Sequence, residues 1–71
     1  MNQYLVVMER TTTGYGVYIP DLPGCVSTGR TKAQAERNAR EAIELHLEGL
    51  REEGQPIPKA SSTAAFVTVA A

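Results

Sequence analysis

Tryptophan is absent, and phenylalanine, histidine, cysteine and aspartate occur once each in the 71 residues. One cysteine excludes an internal disulfide and any CxxC metal clip, and a lone thiol suits a reducing cytoplasm. One aspartate, with every glutamate but Glu9 on a single helical stretch, excludes the converging carboxylates that a two-metal nuclease needs. No excess of one charge exists: seven Lys and Arg face eight Asp and Glu, for a net charge of -1. The basic face that attracts nucleic acid is therefore missing. No apolar run approaches the roughly 18 residues of a membrane span, and no signal-peptide pattern opens the chain. With few large aromatics and a length that buries only about 60% of the unfolded surface, the core is marginal and invites association. The length allows a single domain, residues 1–71.

What is present centres on Tyr18-Ile19-Pro20-Asp21-Leu22-Pro23-Gly24-Cys25. Two prolines three apart exclude helix and central strand, Asp21 can bond the backbone ahead of it, and Gly24 can take φ > 0. A rigid, exposed corner is expected, either a plain connector or a recognition surface. Residues 3–9 read as a strand with Tyr4, Val6 and Met8 on one side and Leu5 and Val7 on the other. Residues 10–14 make a hairpin loop and 15–19 the return strand, with Tyr15, Val17 and Ile19 sharing a face. Residues 25–29 form a third strand, and connections this short make the three an antiparallel meander.

Thr31 and Gln34 form a capping-box pattern, and a helix runs from Thr31 to about Glu53. Its apolar stripe is Ala35, Ala39, Ala42, Ile43, His46, Leu47 and Leu50. Gly54 stands at a C′ position, and Pro56 and Pro58 forbid continuation. After a polar linker at 59–63, residues 64–70 read as a last β-type run, with Phe66 and Thr68 facing one way and Val67 and Val69 the other. The order β-β-β-α-β predicts a two-layer α+β unit, with the last strand beside the first.

No metal-ligand spacing, phosphate-binding glycine motif or nucleophile–base–acid set accompanies this plan. His46 lies on the apolar stripe and reads as a packed core histidine; Cys25 lacks an orienting acid. No catalytic residue, cofactor or metal is expected.

The run from Tyr18 to Gly29, then Thr31, Ala35, Ala39, Glu41-Ala42-Ile43, Leu47 and Gly54-Gln55-Pro56-Ile57-Pro58, resembles the HicB-like antitoxin family. The resemblance implies a partial ribonuclease-H-like fold without the nuclease's acids. It also implies a cytoplasmic antitoxin that masks a small RNA-cleaving toxin. Members often carry an acid where Arg30 stands, and a cation there is mildly unfavourable beside the helix N-terminus. Many members continue into a DNA-binding segment; these 71 residues contain none, so direct DNA binding is not expected.

The toxin-facing surface is accordingly expected at Tyr18, Pro20, Asp21, an exposed Leu22, Pro23 and Gly24. Self-association into a dimer or higher assembly is expected through Ala42, Leu45 and Gly49. These recur, with Asn38, on a helix stripe rotated from the core. The competing reading is a stand-alone oligomeric HicB-like domain serving another partner or ligand.

Overall fold

The structure, a computed structural model, describes residues 3–70. Three strands, β1 (Val7–Arg10), β2 (Tyr15–Tyr18) and β3 (Val26–Gly29), precede one 21-residue helix, α1 (Lys32–Glu52). The sheet has the order β1-β2-β3 and is antiparallel throughout. Register places Val7, Tyr18 and Val26 in one row across the sheet, and Met8, Val17 and Ser27 in the next. This is the expected meander with a helix on one face.

β1 starts at Val7 rather than residue 3. The reason lies on β2, which ends at Tyr18: the Ile19 amide serves the β3 side, bonding the Cys25 carbonyl (3.2 Å), and Pro20, the next residue on the β1 side, has no N–H. Residues 3–6 consequently have no partner on β2, though Tyr4, Val6 and Met8 still pack inward.

The buried core is Val17, Ile19, Leu22, Cys25, Ala35 and Ala39, with Tyr15, Ala42, Ile43 and Leu47 partly buried against it. His46, expected in the core, is only half-buried. The small end of the helix stripe lies closest to the sheet. A β-carbon at Gly29 would sit 2.6 Å from Ala35 Cα, and one at Gly14 would sit 2.7 Å from Arg30 Cα. The missing side chain at Gly29 is thus what permits the helix to approach β3, and the one at Gly14 lets the hairpin loop lie against the Gly29–Arg30 backbone at the end of that strand. Asn38 adds a fastening there, its Nδ2 donating to the Thr28 carbonyl at 2.7 Å.

Both helix ends follow from local chemistry. Thr31 Oγ1 accepts from the Gln34 amide at 3.1 Å. The Gln34 side chain returns to the Arg30 amide (2.7 Å), one residue earlier than the usual box. At the other end Gly54 takes φ +68, its amide donates to Arg51, and the Gln55 amide donates to Leu50. That pair of bonds is the Schellman closure.

The expected C-terminal strand is not formed. Residues 55–70 carry neither helix nor ladder. The Pro58 carbonyl accepts from Tyr4 OH at 2.6 Å, and Ser61 and Ser62 are bonded to Asp21. Beyond them the segment leaves the body, with Phe66, Val67 and Val69 exposed. A β-type sequence becomes a strand only where a neighbouring strand supplies hydrogen bonds, and none flanks this segment among the described residues. Among the described residues, no helix is long and apolar enough to cross a membrane.

Candidate functional site

The corner is two turns sharing Leu22. The Leu22 amide donates to Ile19 and the Cys25 amide donates to Leu22, each at 3.0 Å. In the first turn Pro20 takes the second position, where its fixed φ fits. In the second, Pro23 takes that position, followed by Gly24 at φ +84, the type II pattern. The shared residue points inward: Leu22 is 0% exposed and lies in the core. The expectation of an exposed Leu22 is therefore corrected. Two consecutive turns reverse the chain around this side chain and drive it under the sheet, while Pro20, Pro23 and Gly24 face outward.

Asp21 is half-buried and fully engaged. Its Oδ2 accepts the Ser61 and Ser62 amides, both at 2.9 Å, and its Oδ1 accepts the hydroxyls of Ser62 (2.7 Å) and Ser61 (3.2 Å). Four donors, the Ser62 amide foremost, hold its carboxyl down at about 2. The carboxylate clasps the C-terminal segment to the corner, a role that local turn chemistry did not reveal because its partners lie 40 and 41 residues away.

Tyr18 is 43% exposed on the face of the sheet opposite α1, and Val26, its register partner, is 65% exposed. With Val7 they form an apolar row across the sheet, at the end where the corner joins β2 to β3. Gly16 adjoins it without a side chain, leaving a shallow depression of about 460 Å³ bordered by Glu9, Tyr18, Val26 and Thr28. Val26 was missed in the sequence. Its alternation with Cys25 and Ser27 carried the signal, once Cys25 was placed inside.

The remaining candidates separate. Leu45 is 70% exposed on α1, with Ala42 and Gly49 half-buried beside it. Asn38, on the same stripe, is tied to β3 instead. Cys25 is in the core, and burial pushes its thiol up, so the reactive thiolate is disfavoured. No cluster of three His, Cys, Asp or Glu side chains that could hold a metal ion occurs among the described residues.

Relatives share this frame. In the solved complex of HicA3 and HicB3, one chain superposes with a TM-score of 0.74 at 37% identity, covering 84% of this chain and 70% of that one. The N-terminal domain of the Burkholderia pseudomallei antitoxin HicB gives 0.73 at 38% identity, covering 86% and 73%. An uncharacterised protein of Haemophilus phage HP1 is 39% identical over 90% of this chain, which spans about half of that relative (48%). A UPF0150 protein of Synechocystis is 46% identical over 79% of this chain and 72% of its own length. The profile of a family described as HicB-like antitoxin of bacterial toxin–antitoxin systems matches residues 4–70. The chain belongs to the HicB-like antitoxin family.

Proposed function

We propose that the chain acts as an antitoxin by binding, without catalysis, a small RNA-cleaving toxin and covering its active surface. One observation carries the placement of the site: the apolar row of Val7, Tyr18 and Val26 borders a corner whose prolines are exposed and whose conformation is locked from inside by Leu22. A surface ordered before binding loses little entropy on association, and an aromatic flanked by aliphatics is a good interface centre. The HicA3–HicB3 complex among the similar structures supports a toxin as the partner. The toxin-facing set is Tyr18, Val26, Pro20, Pro23 and Gly24, with Asp21 and Leu22 supporting from beneath. The frame becomes a partial ribonuclease-H-like sheet when a fourth strand joins β1. Self-association places Leu45, between Ala42 and Gly49, at a copy–copy contact, and the protein works in the cytoplasm without binding DNA through these residues.

The test is capture of the toxin encoded beside this gene, with RNA cleavage as the readout. Tyr18→Ala and Val26→Asp should fold normally and raise the antitoxin concentration needed to stop cleavage at least about tenfold. Unchanged neutralisation by both would remove the sheet face from the interface. No capture by the wild-type chain would favour the stand-alone oligomeric domain. Separately, Leu45→Glu should weaken self-association in sedimentation equilibrium.

A further inference from the structure

We propose that Gly16 lacks a side chain for the sake of the partner rather than the fold, and that the depression above it seats one arginine side chain of the toxin, paired with Glu9. The inference rests on the antitoxin reading and deepens it by naming the residue type that the sheet face selects.

The glycines of the chain separate by cause. A β-carbon at Gly14 or Gly29 would strike backbone, and Gly24 and Gly54 take positive φ. Gly16 meets neither condition. A β-carbon there would find only Thr11 Cγ2 at 3.6 Å, an ordinary van der Waals contact. It stands in β2, the central strand, where glycine forfeits backbone entropy and cross-strand packing. A residue that weakens its own strand, and that no contact within the chain requires, finds its reason outside the chain. The space it leaves open lies on the face proposed to meet the toxin.

Register supplies the chemistry around that space. Glu9, Gly16 and Thr28 form one row across the sheet, two positions along from the row of Val7, Tyr18 and Val26. Residues opposite one another in antiparallel strands share a face, so a carboxylate and a hydroxyl flank the missing side chain. The depression of about 460 Å³ is therefore acidic on one side, neutral and polar on the other, and bounded by the exposed Tyr18 ring. Among the described residues no basic side chain lines it. Glu9 is the only acid on the three strands. Its neighbour Arg10 serves the other face, with its guanidinium 5.9 Å from the centre of the Tyr15 ring.

A carboxylate without a cation, beside an aromatic ring and across a bare backbone, fits a cation on a long apolar stem. Arginine fits better than lysine. Its planar head can lie on Tyr18 while donating two parallel bonds to Glu9, with the stem crossing the Gly16 Cα. A methyl group at position 16 would lift the stem and weaken both contacts together. A protein that cleaves RNA needs cations to hold the phosphate backbone, so an arginine held here is also withdrawn from RNA.

The test measures binding to the toxin encoded beside this gene by calorimetry at low and high salt, with urea denaturation of the free antitoxin in parallel. Gly16→Thr should raise the denaturation midpoint and yet weaken the complex at least about tenfold, and Gly16→Ala should do both to a lesser degree. Glu9→Gln should weaken the complex and reduce its salt dependence. When the toxin's arginines are replaced singly by glutamine, one replacement should be non-additive with Glu9→Gln. A midpoint lowered by both Gly16→Thr and Gly16→Ala would return the glycine to the fold and overturn the proposal. Unchanged affinity in Gly16→Thr would overturn it while leaving the antitoxin reading intact. Loss in Gly16→Thr without loss in Glu9→Gln would put an uncharged side chain in the depression and overturn the arginine. Failure of the wild-type chain to bind the toxin would sink the antitoxin reading itself, and this inference with it.

Discussion

Leu22, Asp21 and Gly29 show how far single residues decide this fold. Leu22 is buried at the junction of two turns, and Leu22→Ala should destabilise by about 2–5 kcal/mol through the cavity it leaves. Urea denaturation would measure this, with a loss near zero contradicting the inward corner. Gly29→Ala places a methyl group against the Ala35 backbone and should cost about 1–3 kcal/mol or more, whereas Gly49→Ala meets open space on the helix and should stabilise by about 0.5–1 kcal/mol. Asp21 supplies the pH dependence. Its folded carboxyl titrates near 2, below the ordinary 3.8, so the folded state holds the charged form preferentially. The contribution is fully present above the unfolded value and is lost as pH falls from about 4 through about 2. Asp21→Asn should flatten that acid limb in denaturation midpoints recorded against pH, and an unchanged limb would mean the serine clasp is absent in solution.

The helix is the most self-sufficient element. Its start at Thr31, its Schellman end at Gly54 and its small-to-large stripe are local chemistry, so its limits match the sequence within a residue. Thr31→Ala should cost about 1 kcal/mol of stability. The wide end of the stripe packs less than the pattern suggests, because Ile43 and Leu47 border the empty groove and Leu50 is only half-buried. Leu47→Ala should accordingly destabilise less than Leu22→Ala in the same denaturation series. The reverse order would place the main core under the C-terminal half of the helix. The strands are shorter than their β-forming runs, since each ladder ends where its partner turns away.

The whole molecule is more extended than its length requires. Its radius of gyration is 13.8 Å, against about 11 Å for a compact chain of 71 residues. The difference reflects the uncovered C-terminal segment. Ile19 and Leu22 are the only large side chains that are fully buried among the described residues, a small core for a stable monomer. On the proposed self-association, stability should rise with protein concentration, as mass action requires. Denaturation midpoints that stayed constant with concentration would contradict it.

Neighbours a few residues apart were enough to specify the meander and the helix with both caps, and the motif run from Tyr18 to Pro58 was enough for the family; the first strand is apolar on both sides, and only packing showed that Tyr4, Val6 and Met8 face inward. Composition alone excluded a carboxylate cluster. The remainder depends on contacts between distant parts of the chain. Turn chemistry located the corner at Pro20 and Pro23, but whether Leu22 faces solvent or core depends on how two turns stack beneath a sheet. The role of Asp21 depends on serines 40 residues onward, that of Gly29 on the helix packed over it, and that of Gly14 on the backbone at the end of β3. Residues 64–70 carry the composition of a strand, yet composition cannot provide the neighbour whose hydrogen bonds make one.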